Sequence, residues 1–64
     1  MYYKIRGYNN LKPTLLYTDV VYNKGEKNIL IKQYKEYLKN KEIDMFEVVS
    51  YLNKGTLKDI VSYQ

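Results

Sequence analysis

The first residues of the chain combine aromatic rings with positive charges. Tyr2, Lys4, Arg6 and Tyr8 occupy alternate positions, and on a β-strand such residues share one face. Aromatic rings in a row of this kind can stack on bases while the cations bind phosphates. The row indicates a candidate surface for RNA or single-stranded nucleic acid. The alternative is an edge strand that its charges protect against aggregation, which is the commoner use of Lys and Arg there.

The residue types needed for catalysis or metal binding are scarce. The chain has no histidine and no cysteine, so Ser50 and Ser62 have no imidazole base, and a metal site would have to use carboxylates alone. The seven acidic residues are spread along the chain, and the three glycines match no phosphate-binding motif. We therefore expect no enzymatic activity, no cofactor and no metal.

Length and composition restrict the class of protein. The 64 residues make one small domain, and they carry a net charge of +4, mostly from lysine. A core of this size gives little stability, so small domains often gain more by oligomerisation. The sequence has no apolar run long enough to span a membrane and no apolar core of a signal peptide. We expect a cytoplasmic protein.

The element on which the others must pack is a helix over residues 26–41. At 100° per residue its apolar side chains fall in one stripe. The stripe contains Leu30, Ile31, Tyr34, Tyr37 and Leu38. Asn23 can cap the helix, with Glu26 three residues later.

Before this helix, alternation and β-branched content predict strands near residues 2–8 and 14–22. Both faces of the second strand are apolar. A helix over residues 13–22, starting at Pro13, is the alternative. If Leu16 and Val20 face the helix, the residues on the other face are Leu15, Tyr17 and Val21. Burying that face in a two-fold homodimer centred on Tyr17 would cover both copies at once.

The last third of the chain has two interpretations. Asp44 with Glu47, and Thr56 with Asp59, resemble capping boxes, and the apolar spacing favours helices over 44–53 and 56–63. Such a pair also permits a helix-turn-helix at 44–63 that binds DNA, although its outer face has few residues suited to reading bases. A β-hairpin around Asn53-Lys54-Gly55 is the alternative.

These observations predict an α+β domain in which an N-terminal β-hairpin is covered by one amphipathic helix and followed by two short helices, or alternatively a ββαββ chain. The nine tyrosines exceed what so small a core can hold, and exposed tyrosine is typical of binding surfaces. The expected function is a non-enzymatic regulator or inhibitor that occupies a partner protein, of a type common in phage and mobile-element genomes. Its candidate partner-binding residues are Leu15, Tyr17, Val21, Tyr51 and Tyr63. Nucleic-acid binding is the alternative.

Overall fold

The computed structural model describes the backbone of residues 1–9 and 12–64 and the side chains of residues 1–9 and 16–64. The elements along the chain are β1 (Tyr2–Asn9), β2 (Lys12–Val21), α1 (Lys24–Lys39), β3 (Met45–Tyr51) and β4 (Leu57–Tyr63). The four strands form one antiparallel sheet in the order β2-β1-β3-β4. The α+β class is confirmed, and the element order is that of the ββαββ alternative.

The N-terminal strand lies in the interior of the sheet, between β2 and β3. Its alternation is as the sequence predicts, because Tyr3, Ile5 and Gly7 are buried and the residues between them are half-buried. The segment 12–21 is a strand paired with β1, so the alternative helix over 13–22 is wrong. The first row of candidate residues is therefore on a central strand and does not protect an edge.

The two C-terminal helices predicted from the capping boxes are wrong, because residues 45–51 and 57–63 are paired strands. The backbone N–H of Asp44 donates to the carbonyl of Tyr8 and does not begin a helix. In the turn, the N–H of Gly55 donates to Leu52 and the N–H of Leu52 donates to Thr56. Gly55 has φ +80°, which glycine adopts without strain. A helix-turn-helix at 44–63 is thereby excluded.

The spacing of apolar residues in β3 explains the wrong prediction. Val48 and Val49 are adjacent in sequence and both are buried, one on each face of the sheet. Apolar residues on both faces of a strand produce the same i, i+3, i+4 spacing that marks one face of a helix. The pattern was therefore ambiguous, and β-branched residues favour the strand.

Both ends of α1 have identifiable caps. The side chain of Asn23 accepts a hydrogen bond of 2.8 Å from the N–H of Glu26, which confirms the predicted N-cap. At the other end, Lys41 has φ 62°, its N–H donates to Leu38, and the N–H of Glu42 donates to Tyr37. This is a Schellman ending with lysine where glycine is usual.

The core lies between α1 and one face of the sheet. Its buried members are Ile5, Tyr34, Ile43, Phe46 and Val48. The other four stripe residues of the helix are partly buried against this cluster, so the predicted packing stripe is confirmed. Gly7 permits the close approach, because a Cβ there would lie 3.2 Å from Ile43 and 3.3 Å from Tyr34. Within the described residues, no helix is long and apolar enough to cross a membrane.

Candidate interaction surface

The helix packs on one side of the sheet, and we call the other side the open face. In antiparallel strands, residues directly opposite each other share a face. Because Ile5 and Gly7 contact the helix side, the neighbouring positions of β1 and their partners belong to the open face. Its described side chains are Tyr2, Lys4, Arg6, Tyr8, Thr18, Val20, Met45, Glu47, Val49, Tyr51, Leu57, Ile60 and Ser62. All four residues of the predicted nucleic-acid row are therefore on one surface.

Three tyrosines at one end of the open face contact one another, and we call them the tyrosine stack. The rings of Tyr2 and Tyr51 are nearly parallel, at 11°, with centroids 4.8 Å apart. Tyr22, just after β2, lies 6.3 Å from Tyr2 at 42°. The ammonium of Lys4 is 5.6 Å from the centre of the Tyr51 ring. Since these contacts cover parts of the π-faces, the rings are pre-assembled with one another.

The middle of the open face is polar. The Arg6 guanidinium lies 3.6 Å from a carboxylate oxygen of Glu47, directly opposite it in the sheet. The hydroxyl of Tyr8 donates to the same oxygen at 3.0 Å. The hydrogen bond with Tyr8 is the main cause that raises the pKa of Arg6. Arg6 stays charged, but Glu47 offsets its charge locally.

Exposed apolar residues border this polar centre on both sides. Val20 in β2 is 44% exposed, Ile60 in β4 is 51% exposed, and Tyr22 is 74% exposed. Between the two borders, Val49 is buried beneath its neighbours. The open face is thus a ring-rich and apolar surface with one neutralised ion pair near its centre.

The predicted orientation of β2, with Tyr17 and Val21 facing away from the helix, is wrong. Val21 lies opposite Tyr3 and is buried, and Tyr17 lies opposite Gly7 on the helix side. The Tyr17 ring stacks on Tyr37 with centroids 4.5 Å apart. Tyr17 therefore does not face outward, and the predicted homodimer contact centred on an outward-facing Tyr17 is not available. The side chain of Leu15, the third residue of that group, lies outside the described residues.

The remaining two partner-binding candidates are on opposite faces. Tyr51 belongs to the tyrosine stack, whereas Tyr63 stacks on Phe46 on the helix side with centroids 4.5 Å apart. The ammonium of Lys35 lies 5.4 Å from the Tyr63 ring. The five candidates consequently do not form one surface, and the structure adds Tyr22, Val20 and Ile60, which sequence reasoning missed. The signal in the sequence that could have indicated Val20 is that both faces of β2 are apolar, so that one of them must stay exposed when the helix covers the other.

On the inner face of α1, the phenol of Tyr34 has a strongly raised pKa. Its hydroxyl donates to a carboxylate oxygen of Asp19 at 2.7 Å. Burial first, and then this hydrogen bond, raise the pKa of Tyr34 well above its usual value. Asp19 is accessible at the edge while the phenol is buried, so the pair anchors β2 to the helix.

The other candidate sites have few charged side chains that could bind a ligand or a metal ion. A shallow pocket of about 380 Å³ beside the β3–β4 turn is lined by Met1, Leu52, Asn53, Lys54 and Thr56. The N-terminal ammonium donates to the Asn53 side chain there. Among the described residues, no three acidic side chains are close enough together to hold a metal ion. The open face is therefore the strongest candidate surface.

Comparison with protein-family models, with curated proteins and with solved structures finds no match to this chain.

Proposed function

We propose that this protein is a non-enzymatic interaction module, a small cytoplasmic regulator or inhibitor that binds a partner protein through the open face of its sheet. The observation that supports this most is the tyrosine stack together with exposed Val20 and Ile60 on a face without cover. Contiguous exposed apolar surface with a polar component is typical of protein-binding sites. Tyrosine is among the residues that contribute most to their affinity.

The charges of the open face favour a protein over a nucleic acid. Arg6 is paired with Glu47, and the ammonium of Lys4, the other cation of the predicted row, lies over the Tyr51 ring. Nucleic-acid binding draws its affinity from several cations that neutralise phosphates. In addition, Tyr2 and Tyr51 already stack on each other, so a base would compete with that contact. Binding a protein requires neither several unpaired cations nor rings that are free to stack on bases.

The chemistry of the partner follows from the same arrangement. Its surface would bring aliphatic or aromatic side chains against Val20, Tyr22 and the outer edges of the tyrosine stack. An acidic side chain would lie near Lys4, where it also approaches the Tyr51 ring. The regulatory effect would come from occupying the partner's surface, since no step of chemistry is required of this chain.

The test is affinity capture with matched variants. The immobilised protein is exposed to a lysate, and the captured proteins are compared for the wild type, Val20→Lys, Tyr22→Ser and Ile29→Lys. Ile29 lies on the helix and is 67% exposed, so Ile29→Lys adds the same charge at a site away from the open face. We expect one protein to be captured by the wild type and by Ile29→Lys, and lost with the two open-face variants.

Two results would contradict the proposal. Capture that is insensitive to Val20→Lys and Tyr22→Ser would place the binding surface elsewhere. Recovery of nucleic acid alone would favour the alternative function, especially if the retention falls steeply with salt and is lost in Tyr2→Ala and Tyr8→Ala. Circular dichroism of every variant checks that the fold is intact.

A further inference from the structure

The edge strand β4 is exposed along nearly its whole length. Six of its seven residues are exposed and only Tyr63 is half-buried. Ile60 on the open face is 51% exposed, and Val61 on the helix side is 45% exposed. The helix packs on β1 and β3, so apolar side chains on both faces of β4 lack cover.

The opposite edge of the sheet is built differently. The sequence of β2 contains Pro13, which has no amide hydrogen to donate to another strand. The pairing of β2 with β1 has two register irregularities, and Asp19 points a carboxylate towards the buried Tyr34 hydroxyl. Proline, irregular pairing and inward charges are the devices that prevent edge-to-edge association. In β4 the register shift lies at the turn end only, and the strand has no proline.

We propose that two copies of this chain associate through their β4 strands, paired antiparallel about a two-fold axis normal to the sheet. The result is one continuous eight-stranded sheet with both helices on the same side. The unpaired backbone N–H and C=O groups of each edge then bond to those of the other copy, because a two-fold contact is self-complementary. The proposal does not rest on the partner-binding function, although Ile60 belongs to both surfaces, and it places the homodimer contact at β4, where the sequence had predicted it at β2.

The side chains of β4 favour a second copy as the occupant. Lys58 and Asp59 cancel in charge, so two strands approach without net repulsion. With the axis at Ile60, the two Ile60 side chains are directly opposite each other on the open face, and with the axis at Val61 the two Val61 side chains are directly opposite each other on the helix side. With the axis at Asp59, two carboxylates would be directly opposite, which is unfavourable. Pairing also adds buried apolar surface to a domain whose own core is small.

Among the described residues, the side chains of β4 stay largely accessible on both faces, which leaves its edge open to this approach. The helix packs on the two interior strands, β1 and β3, and the ammonium of Lys35 lies over the ring of Tyr63 at the end of β4. Tyr2, Val20 and Tyr22 lie in or next to β1 and β2, which are separated from β4 by β3, whereas Tyr51 lies in β3 itself. Self-association therefore leaves most of the open face of each copy accessible.

The first test is the mass in solution, measured by light scattering as a function of concentration. We expect the wild type to approach twice 7.7 kDa, and Val61→Lys to remain near 7.7 kDa because it sets two like charges in the interface. Ile29→Lys, which adds the same charge on the helix, should behave as the wild type. A wild-type mass that stays at 7.7 kDa at all concentrations overturns the proposal, as does a dimer that persists in a folded Val61→Lys.

The second test does not depend on weakening the interface. Because the chain has no cysteine, single cysteines report proximity directly. Under an added oxidant, Ile60→Cys or Val61→Cys should give a disulfide-linked dimer, since opposite positions in antiparallel strands have Cα atoms close enough for the bond. Which of the two links faster identifies the axis. Linking no faster than in Ile29→Cys contradicts the β4 interface, even if a dimer is present.

Discussion

On the helix side of the sheet, the tyrosines pack around buried Tyr34, whereas on the open face Tyr2 and Tyr51 stack on each other at the surface. The same residue type thus serves two purposes. Under α1, aromatic rings fill a core, and the Tyr34 hydroxyl reaches a carboxylate. On the open face, rings and aliphatic groups stay partly in contact with water. The cover provided by α1, rather than residue type, separates structural tyrosines from those available to a partner.

The largest expected contrast is between truncations on the two faces. Phe46→Ala removes a fully buried ring on the helix side and should cost about 3–5 kcal/mol of the free energy of unfolding. Val20→Ala, on the open face, should change it by less than about 0.5 kcal/mol. Urea unfolding followed by circular dichroism measures both. Similar losses for the two variants would mean that the open face is covered in the free protein.

A bulky residue at Gly7 should also show that substitutions on the helix side cost more stability than substitutions on the open face. A Cβ at this position already lies 3.2 Å from Ile43, so Gly7→Val would force the helix and the Ile43 segment away from the sheet. We expect a loss of about 1–3 kcal/mol in the free energy of unfolding. Thr18→Val, an exposed β-branched position on the open face, is the control and should be nearly neutral. Equal stability of Gly7→Val and wild type would show that the contact is not tight.

The Tyr34 hydroxyl should make the helix side sensitive to alkaline pH. Unfolded tyrosine ionises near pH ~10, but the pKa of folded Tyr34 is raised by burial and by the bond to Asp19. The folded state therefore keeps a proton that the unfolded state loses. This contribution is fully present below pH ~10, and above it the free energy of unfolding falls by up to about 1.4 kcal/mol per pH unit.

Tyr34→Phe removes the buried hydroxyl and therefore isolates its contribution to the alkaline loss of stability. The variant should lose about 1 kcal/mol at neutral pH and should show a shallower decline between pH ~10 and ~11 than the wild type. Tyr22→Phe, at an exposed ring, should retain the wild-type slope. Parallel alkaline curves for Tyr34→Phe and wild type would show that the buried phenol is not responsible.

The smallest effect concerns the tyrosine stack. A double-mutant cycle of Tyr2→Ala and Tyr51→Ala should give a coupling of about 0.5–1.5 kcal/mol, as expected for a stacked aromatic pair. The Tyr17–Tyr37 stack on the helix side, with the same 11° angle, is the matched comparison. Coupling near zero for Tyr2 and Tyr51 would mean that their rings are free to separate and to admit another ligand.

Local signals in the sequence were sufficient for α1 and β1. The stripe of α1, its Asn23 cap and the alternation of β1 are confirmed because each depends on residues close in sequence. The row of Tyr2, Lys4, Arg6 and Tyr8 was also placed on a single face. The charge of this row could not be predicted from the sequence. Glu47 offsets the charge of Arg6, and only the pairing of β1 with β3 places Glu47 opposite Arg6.

The sequence by itself determined the α+β class and the presence and packing face of the covering helix, although the helix spans residues 24–39 where 26–41 was predicted. Only the tertiary structure decided which face of β2 is covered and whether residues 45–63 form helices or strands. The physical reason is the same in both segments. Apolar residues lie on both sides of β2 and β3, so periodicity alone cannot orient them. Their orientation is set by register with β1, and that register by Ile5 and Gly7 meeting Tyr34.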